Sequence, residues 1–242
     1  MTRKRPRKTR HEAIVKKVEE LTPSTKDVVK KDTTGHSKKT VDIELRVQPI
    51  MVGIPMDEVL FSKFLPNILT SGIMPWDSIV TTESTYLPDA RNLVHNAFLE
   101  SGLEYLHMRD SDVLAPPGTI RTLLNHKKDL VGAWYHQKGA KLVDGQLVHR
   151  PTVYSEWEFG DDSFPYFKSY NFPEKGLQKV AGIGAGCLLM SRKLAEALGE
   201  SPYHTNYGVG EDMVMCKKTL DLGFSIYVDW SLACPHVGLS YV

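Results

Sequence analysis

Short apolar runs alternate with amphipathic segments from about residue 45 onward, and this alternation is the main structural signal in the sequence. The apolar runs predict strands over residues 46–54, 77–82, 103–108, 129–135, 183–191 and 224–229. The segments with helical spacing predict helices over residues 57–69, 89–101, 119–125, 192–198 and 211–222. Repeated strand–helix units of this length are typical of a mostly parallel sheet flanked by helices, so the predicted fold class is α/β.

Residues 141–179 break this alternation. Within residues 141–149, Asp144-Gly145 lies between two short apolar pairs, which predicts a hairpin with a two-residue turn. Residues 150–179 are rich in aromatic residues, proline and aspartate and show no helical period. We therefore expect residues 150–179 to form a recognition surface built from loops.

Residues 1–42 differ in composition from the rest of the chain. They contain no aromatic residue and few large apolar ones, so they bury too little surface to offset the entropy of ordering. Residues 1–40 hold 13 lysines and arginines against 5 acidic residues, whereas the other 202 residues hold 17 against 24. The sequence thus predicts a basic, mostly disordered arm over residues 1–42 and one folded domain over residues 43–242. The arm is either a solvated tail or an electrostatic tether for nucleic acid.

Composition narrows the class of protein further. The longest nearly uncharged apolar run, residues 180–190, is much shorter than the roughly 20 residues that span a bilayer. No apolar stretch follows the charged N-terminus, as a signal peptide would require. We therefore expect a cytoplasmic protein without a membrane partner. The cysteines at positions 187, 216 and 234 are too few and too scattered for a disulfide framework or a structural zinc site, and are expected to be reduced.

The strongest local chemical signal is Asp110-Ser111-Asp112, which comes shortly after the predicted strand 103–108. Two carboxylates that leave the carboxyl edge of a parallel sheet can bind one hard cation at the place where such sheets bind ligands. This arrangement suits Mg²⁺ or Mn²⁺ bridging a diphosphate. Because paired aspartates are also common in turns and helix caps, the assignment depends on further signals.

Two further signals lie nearer the C-terminus. Glu211 and Asp212 stand at the start of a predicted amphipathic helix, where acidic residues also act as simple caps. His236 follows the last predicted strand. The order of these signals along the chain gives them more weight than any one of them has alone.

Taken together, these segments resemble the GT-A glycosyltransferases, in particular the family 2-like enzymes of bacteria and their viruses. The resemblance covers about residues 46–238 and rests on Ala90-Arg91-Asn92, residues 106–113, residues 182–190, Gly210-Glu211-Asp212 and His236. One departure is Arg109, where these enzymes usually carry an apolar residue. The resemblance implies a GT-A-like domain, in which a Rossmann-like, mostly parallel sheet is flanked by helices.

The resemblance also implies an activity, namely metal-dependent transfer of a sugar from a nucleotide-sugar donor to an acceptor hydroxyl, with inversion. The cofactor would be Mn²⁺ or Mg²⁺, held by Asp110, Asp112 and His236. In inverting relatives the aspartate of the Glu-Asp pair deprotonates the acceptor, and this role maps to Asp212, with Glu211 as the nearest alternative. Contacts to the nucleotide or the sugar are expected from Pro55, Glu83, Arg91, Asp110, Gly184 and Gly186.

Two other functions stay open. A nucleotidyltransferase of related fold would also use paired aspartates and a metal, although residues 53–57 are not the glycine-rich basic loop that such enzymes carry after the first strand. An inactive nucleic-acid-binding module would work through the basic arm. The same arm favours, by association, a hydroxylated base in DNA as the acceptor of a glycosyltransferase.

Overall fold

The computed structural model describes residues 48–56, 62–84, 86–159, 165–206 and 208–237. The chain divides into two units, Met1–Gln48 and Pro49–Val242, and nearly all described residues belong to the second. The predicted arm over residues 1–42 lies outside the described residues, as do the first residues of the predicted strand 46–54 and of the predicted helix 57–69.

Twelve strands lie among the described residues of the second unit. Their bounds are β1 Met51–Met56, β2 Ser78–Glu83, β3 Tyr105–Arg109, β4 Leu130–Tyr135, β5 Lys141–Val143, β6 Gln146–Val148, β7 Val153–Phe159, β8 Pro165–Ser169, β9 Leu177–Val180, β10 Gly182–Ile183, β11 Cys187–Ser191 and β12 Ile226–Cys234. Seven of them form a central mixed sheet with the strand order β2-β1-β3-β11-β4-β12-β9. Five strands of this sheet run in one direction, whereas β9 and β11 are antiparallel to their neighbours. The others form a three-stranded sheet, β10-β7-β8, and the hairpin β5-β6.

Helices cover both faces of the large sheet, as the α/β prediction requires. Their bounds are α1 Phe64–Thr70, α2 Leu87–Ser101, α3 Thr119–Asn125, α4 Arg192–Leu198 and α5 Glu211–Asp221. Apolar residues of α2, α4 and α5 join one buried cluster, and those of α1 and α3 join another. Alternate residues of β11 supply both clusters, with Leu188 and Met190 on one side and Cys187 and Leu189 on the other. This two-sided burial explains why the central strands read as continuous apolar runs.

Local sequence signals set the ends of α2, the helix that carries Arg91. Pro88 lies in its first turn, where a missing backbone N–H costs nothing, and Asp89 adds a negative charge at the same end. Gly102 ends the helix in the left-handed region, with a φ of 73°. The predicted hairpin is also confirmed, since Asp144 and Gly145 both have positive φ, as its two-residue turn requires.

The expectation of a loop-built surface over residues 150–179 is wrong. The described part of this segment contains β7, β8 and most of β9, and β7 pairs with β8 in antiparallel fashion. Trp157 of β7 packs edge-on against Phe167 of β8, with 4.3 Å between the ring centroids. The last four residues of β7, Glu156 to Phe159, alternate polar and apolar side chains, and this period of two indicates a strand, which a search for helical spacing does not detect.

Three predicted strands have clearly different bounds in the structure. The predicted strand 46–54 corresponds to β1, which begins only at Met51 and continues to Met56. The predicted strand 183–191 is split, because residues 184–186 separate β10 from β11. The predicted strand 224–229 continues to Cys234, with an irregularity between Val228 and Ala233. Among the described residues, no helix is long and apolar enough to cross a membrane.

Candidate active site

A cleft of about 530 Å³ opens at the edge of the sheet where β1, β3 and β4 end. The N-terminal halves of α2 and α5 reach the same edge, as does the segment after β12. The volume is in the usual range for a small-molecule site. The lining residues are Pro55, Met56, Ser84, Leu87, Arg91, Asp110, Ser111, Asp112, Tyr135, Gln137, Lys138, Thr152, Tyr154, Glu211, Asp212 and His236. Seven of the ten residues predicted for the site therefore lie around one cleft.

Asp112 and His236 come together although 124 positions separate them in the sequence. The Asp112 Oδ2 and the His236 Nε2 lie 3.2 Å apart. Their backbones are joined as well, because Val113 and His236 form an antiparallel bridge and the Val237 N–H donates to the Asp112 carbonyl at 2.7 Å. The other ring nitrogen of His236, Nδ1, donates to the carbonyl of His136 at 2.9 Å, which leaves Nε2 facing the carboxylate.

Hydrogen bonds from two side chains, His236 and Lys138, keep the Asp112 carboxylate ionised. The Lys138 Nζ lies 2.9 Å from the same Oδ2 atom that His236 contacts. Burial by itself would raise the pKa of Asp112, but the hydrogen bonds from His236 and Lys138 outweigh it and lower the pKa to about 2. The hydrogen bond to Asp112 in turn raises the pKa of His236, with burial acting in the opposite direction.

Asp110 belongs to a different ion pair. Its Oδ2 lies 2.7 Å from a terminal nitrogen of Arg91, and the other terminal nitrogen of Arg91 contacts Glu211 Oε1. Arg91 is only 2% exposed. Burial alone would lower its pKa, but the charges of Asp110, Asp212 and Glu211 raise the pKa above its ordinary value, so the guanidinium stays charged. Arg91 therefore joins the aspartate pair after β3 to the acidic pair at the start of α5.

Asp212 has the opposite electrostatic environment from Asp112. Burial is the largest influence on its pKa and raises it to about 6, with Arg91 opposing the shift and Glu211 adding to it. Its Oδ1 accepts a hydrogen bond from the Met213 N–H at 2.8 Å. A carboxylate with a pKa near neutrality is well matched to accept a proton at physiological pH.

Gly184 and Gly186 lie behind the cleft, packed against Tyr135. A Cβ atom on Gly184 would clash with the Tyr135 hydroxyl, and one on Gly186 would lie 2.8 Å from both that hydroxyl and Asp110 Oδ2. The Gly186 N–H donates to Tyr135 Oη at 2.9 Å, and the Gly186 carbonyl accepts from the Asp110 N–H at 2.9 Å. These close approaches explain the glycines by packing, and their predicted contact with a sugar stays a prediction.

The remaining predicted residues are at the ends of β1 and β2. Pro55 lines the cleft. Glu83 is in register with Met56, the neighbour of Pro55, but its side chain is not among those that the structure describes. The sequence reasoning missed Lys138 and Tyr135, which both line the cleft. Tyr135 is the last residue of the predicted strand 129–135, and its position at a carboxyl end was the signal that could have identified it.

The donor set of the cleft suits a divalent metal through two protein ligands. The Asp112 carboxylate is the type of ligand that Mg²⁺ and Mn²⁺ prefer, and the imidazole nitrogen of His236 favours a divalent transition metal over Mg²⁺. Asp110 is held by Arg91, although its Oδ1 is buried without a hydrogen-bond partner. No group of three or more His, Cys, Asp or Glu side chains among the described residues is arranged to hold a metal ion. The structure therefore supports Asp112 and His236 as candidate ligands more directly than it supports Asp110.

No protein-family model matches the chain, and no curated protein matches it in sequence. Solved structures do match. A197 from STIV aligns with a TM-score of 0.54 and 17% identity over 79% of this chain and 86% of that chain. The crystal structure of GalNAc-T7 with UDP, GalNAc and Mn²⁺ aligns with a TM-score of 0.53 and 9% identity over 81% of this chain. This alignment spans only 44% of the GalNAc-T7 chain.

The fold is of the GT-A type. Because the sequence identities are only 9% and 17%, these structural similarities show the fold alone. The reaction has to be inferred from the residues of the cleft. A third structure, apo UDP-glucose pyrophosphorylase, has a TM-score of 0.39 and 11% identity over 67% of this chain and 58% of that chain.

Proposed function

We propose that this protein is a metal-dependent glycosyltransferase that transfers a sugar from a nucleotide-sugar donor to an acceptor hydroxyl with inversion. The observation that carries the proposal is one cleft in which two aspartates have opposite environments. Asp112 has a pKa lowered to about 2 and Asp212 a pKa raised to about 6. Titratable groups whose pKa values are pushed apart in this way mark separate roles in acid–base chemistry.

Asp112 and His236 form the donor side of the cleft in this proposal. A divalent metal bound there would neutralise the charge that develops on the departing diphosphate. Lys138 adds a positive charge at the same place, because its ammonium group already contacts Asp112. The side chain of Lys138 is 70% exposed, so it is free to move from the carboxylate to a phosphate oxygen.

Asp212 is the proposed general base. The acceptor O–H gives its proton to the Asp212 carboxylate while the acceptor oxygen bonds to the anomeric carbon and the bond from that carbon to the diphosphate oxygen breaks. Glu211 is less suited to this role, because its carboxylate is already paired with the buried Arg91. A single displacement of this kind inverts the configuration at the anomeric carbon.

The choice of donor to test first comes from the structural neighbours. The GalNAc-T7 structure contains UDP, GalNAc and Mn²⁺. We therefore propose uridine diphosphate sugars with Mn²⁺ as the first donors to try, followed by other nucleotide sugars.

A hydroxylated base in DNA is the proposed acceptor, and this part of the proposal rests on the basic arm. Residues 1–40 carry 13 basic and 5 acidic side chains. If the arm contacts DNA phosphates, deletion of residues 1–40 should weaken DNA binding and reduce its salt dependence, while hydrolysis of the donor stays the same. Equal salt slopes for the full chain and the deletion variant would remove the support for DNA as acceptor.

The decisive assay incubates the purified protein with a panel of nucleotide sugars, Mn²⁺ and hydroxylated acceptors, and measures the released nucleoside diphosphate together with the intact mass of each acceptor. Release that depends on both Asp112 and Asp212 supports the proposal. Release of pyrophosphate from a nucleoside triphosphate and a sugar phosphate would instead show a nucleotidyltransferase. DNA binding without any turnover would favour an inactive binding module.

A further inference from the structure

Arg109 is a fully buried cation that does not line the cleft. It is 0% exposed and is the largest of the fully buried side chains. It ends β3, one residue before Asp110, and its guanidinium lies near the ring of Phe64, 6.0 Å from the centroid. Among the described residues, no carboxylate forms an ion pair with it. A buried charge without a counterion is costly, so this arginine needs an explanation other than stability.

Arg109 donates one hydrogen bond directly to the turn that follows it and two to side chains on neighbouring elements. Its Nε donates to the Val113 carbonyl at 2.7 Å. One terminal nitrogen donates to Asn67 Oδ1, and the other lies 3.9 Å from Cys187 Sγ on β11. Asn67, on α1, binds the same turn at Ala115. Its Oδ1 accepts a hydrogen bond from the Ala115 N–H and its Nδ2 donates one to the Ala115 carbonyl, both at 2.9 Å. Arg109 and Asn67 therefore hold the turn over residues 110–115 in place through hydrogen bonds to the backbone of Val113 and Ala115.

The turn over residues 110–115 also holds the segment that carries His236. The Leu114 N–H donates to the Pro235 carbonyl at 2.9 Å, and the Val237 N–H donates to the Asp112 carbonyl at 2.7 Å. Val113, the residue whose carbonyl Arg109 holds, is the bridge partner of His236. A shift of the turn would therefore move both candidate metal ligands.

We propose that Arg109 is a positioning residue for Asp112 and His236: its buried guanidinium, with Asn67, holds the 110–115 turn so that the two side chains stay together at the cleft. The metal-binding part of this inference rests on the proposed function, whereas the control of the turn does not. A hydrophobic side chain of similar size would fill the same volume and avoid the cost of a buried charge, but it could not hold the Val113 carbonyl.

The test compares Arg109→Met with Arg192→Met. Arg192 is a matched control, since its guanidinium also donates to backbone carbonyls, those of Leu103 and Phe98, and lies near an aromatic ring, that of Phe98, away from the turn. Amide hydrogen exchange at Leu114 and Val237 should be at least roughly tenfold faster in Arg109→Met than in either the natural protein or Arg192→Met. Calorimetry with Mn²⁺ alone should show affinity roughly 10–100-fold weaker in Arg109→Met only.

Arg109→Lys should lie between the natural protein and Arg109→Met, because one ammonium group keeps the charge but cannot replace the fork that reaches both Val113 and Asn67. If Arg109→Met does not fold, Asn67→Ala tests the same turn through the loss of the bonds to Ala115. Unchanged exchange at Leu114 and Val237 in a folded variant overturns the proposal. If the natural protein does not bind Mn²⁺ but exchange still rises, the metal in the proposed function is wrong and the positioning role stands.

Discussion

Asp112 and Asp212 line the same cleft, yet their surroundings differ in one decisive respect. Two side chains that can carry a positive charge, His236 and Lys138, contact the Asp112 carboxylate directly. The cation nearest to Asp212, Arg91, is already paired with Asp110 and Glu211. Burial therefore dominates at Asp212 and raises its pKa, whereas direct hydrogen bonds dominate at Asp112 and lower it. The neighbours of a carboxylate, more than its residue type, decide whether it suits a metal or a proton.

Arg91 connects the donor side of the cleft, at Asp110, to the base side, at Glu211. It pairs with both Asp110 and Glu211. Arg91 is also the largest influence that lowers the pKa of Asp212, but burial together with the charge of Glu211 outweighs it. A buried cation shared in this way holds the start of α5 against the turn after β3. The donor side and the base side of the cleft are thus fixed relative to each other by one side chain.

The largest expected effect is on the donor side. Asp112→Asn should abolish Mn²⁺-dependent binding of a nucleotide sugar, because it removes the charged oxygen donor of the candidate pair. Calorimetry with and without Mn²⁺ measures this directly, and a near-ultraviolet spectrum checks that the fold is kept. Metal-dependent donor binding of natural strength in this variant would show that Asp112 is not a ligand.

On the base side, Asp212→Asn should leave metal and donor binding intact and lower transfer by roughly 10²-fold or more. In the natural protein the rate of transfer should rise with pH through about 6, as Asp212 loses its proton. The measurement is the initial rate of transfer across pH 5 to 8. Glu211→Gln is the comparison variant, and if it is the inactive one while Asp212→Asn stays active, the two roles are reversed.

The two aspartates should also affect stability with opposite signs. The pKa of Asp212 is raised from 3.8 to about 6, so it stabilises the folded state below about pH 4 and that contribution is lost as pH rises through 6. The pKa of Asp112 is lowered from 3.8 to about 2, so its contribution is present above about pH 4 and lost as pH falls through 2.

Urea unfolding at pH 4 and pH 8 tests this difference. Asp212→Asn should be more stable than the natural protein at pH 8 and nearly equal to it at pH 4, whereas Asp112→Asn should be less stable at both. Shifts of about two pKa units correspond to free energies on the order of 1–3 kcal/mol. If both variants change stability in the same direction at pH 8, the contrast between the two sides is wrong.

The smallest expected effect concerns Lys138. Its ammonium group contacts the same Asp112 oxygen that a metal would use, so Lys138→Met should raise the affinity for Mn²⁺ in the absence of nucleotide, by roughly a few-fold because the lysine is largely exposed. Affinity for the nucleoside diphosphate should fall, since a positive charge is lost. Calorimetry gives both numbers, and Lys168→Met, which removes a lysine paired with Glu156 and Glu158, is the control.

Much of the donor side could be predicted from the sequence. The apolar run of β3 ends abruptly at Asp110 to Asp112, and the alternation of strands and helices places that end at the edge where ligands bind. The pairing with His236 could only be expected through the resemblance, because the contact joins residues 124 positions apart. The backbone bridge of Val113 to His236 is a product of tertiary folding and leaves no local signal.

Other parts of the site depend on strand order, which local patterns do not encode. β11 lies between β3 and β4 in antiparallel orientation, and this brings Gly186 beside Asp110 and Tyr135. The direction in which the Arg109 side chain points is a second feature that local patterns do not encode. In the sequence Arg109 stands directly before Asp110, yet the alternation of β3 turns its side chain to the opposite face from Met108, towards the buried cluster that contains Phe64.

The most direct test of the account is a titration of the two carboxyl groups by carbon-13 nuclear magnetic resonance in the metal-free protein, with Asp112→Asn and Asp212→Asn used to assign the signals. The account predicts that Asp212 titrates near 6 and that Asp112 stays ionised down to about 2. Two carboxyl groups that titrate together near 4, or in the reverse order, would contradict the division of roles within the cleft.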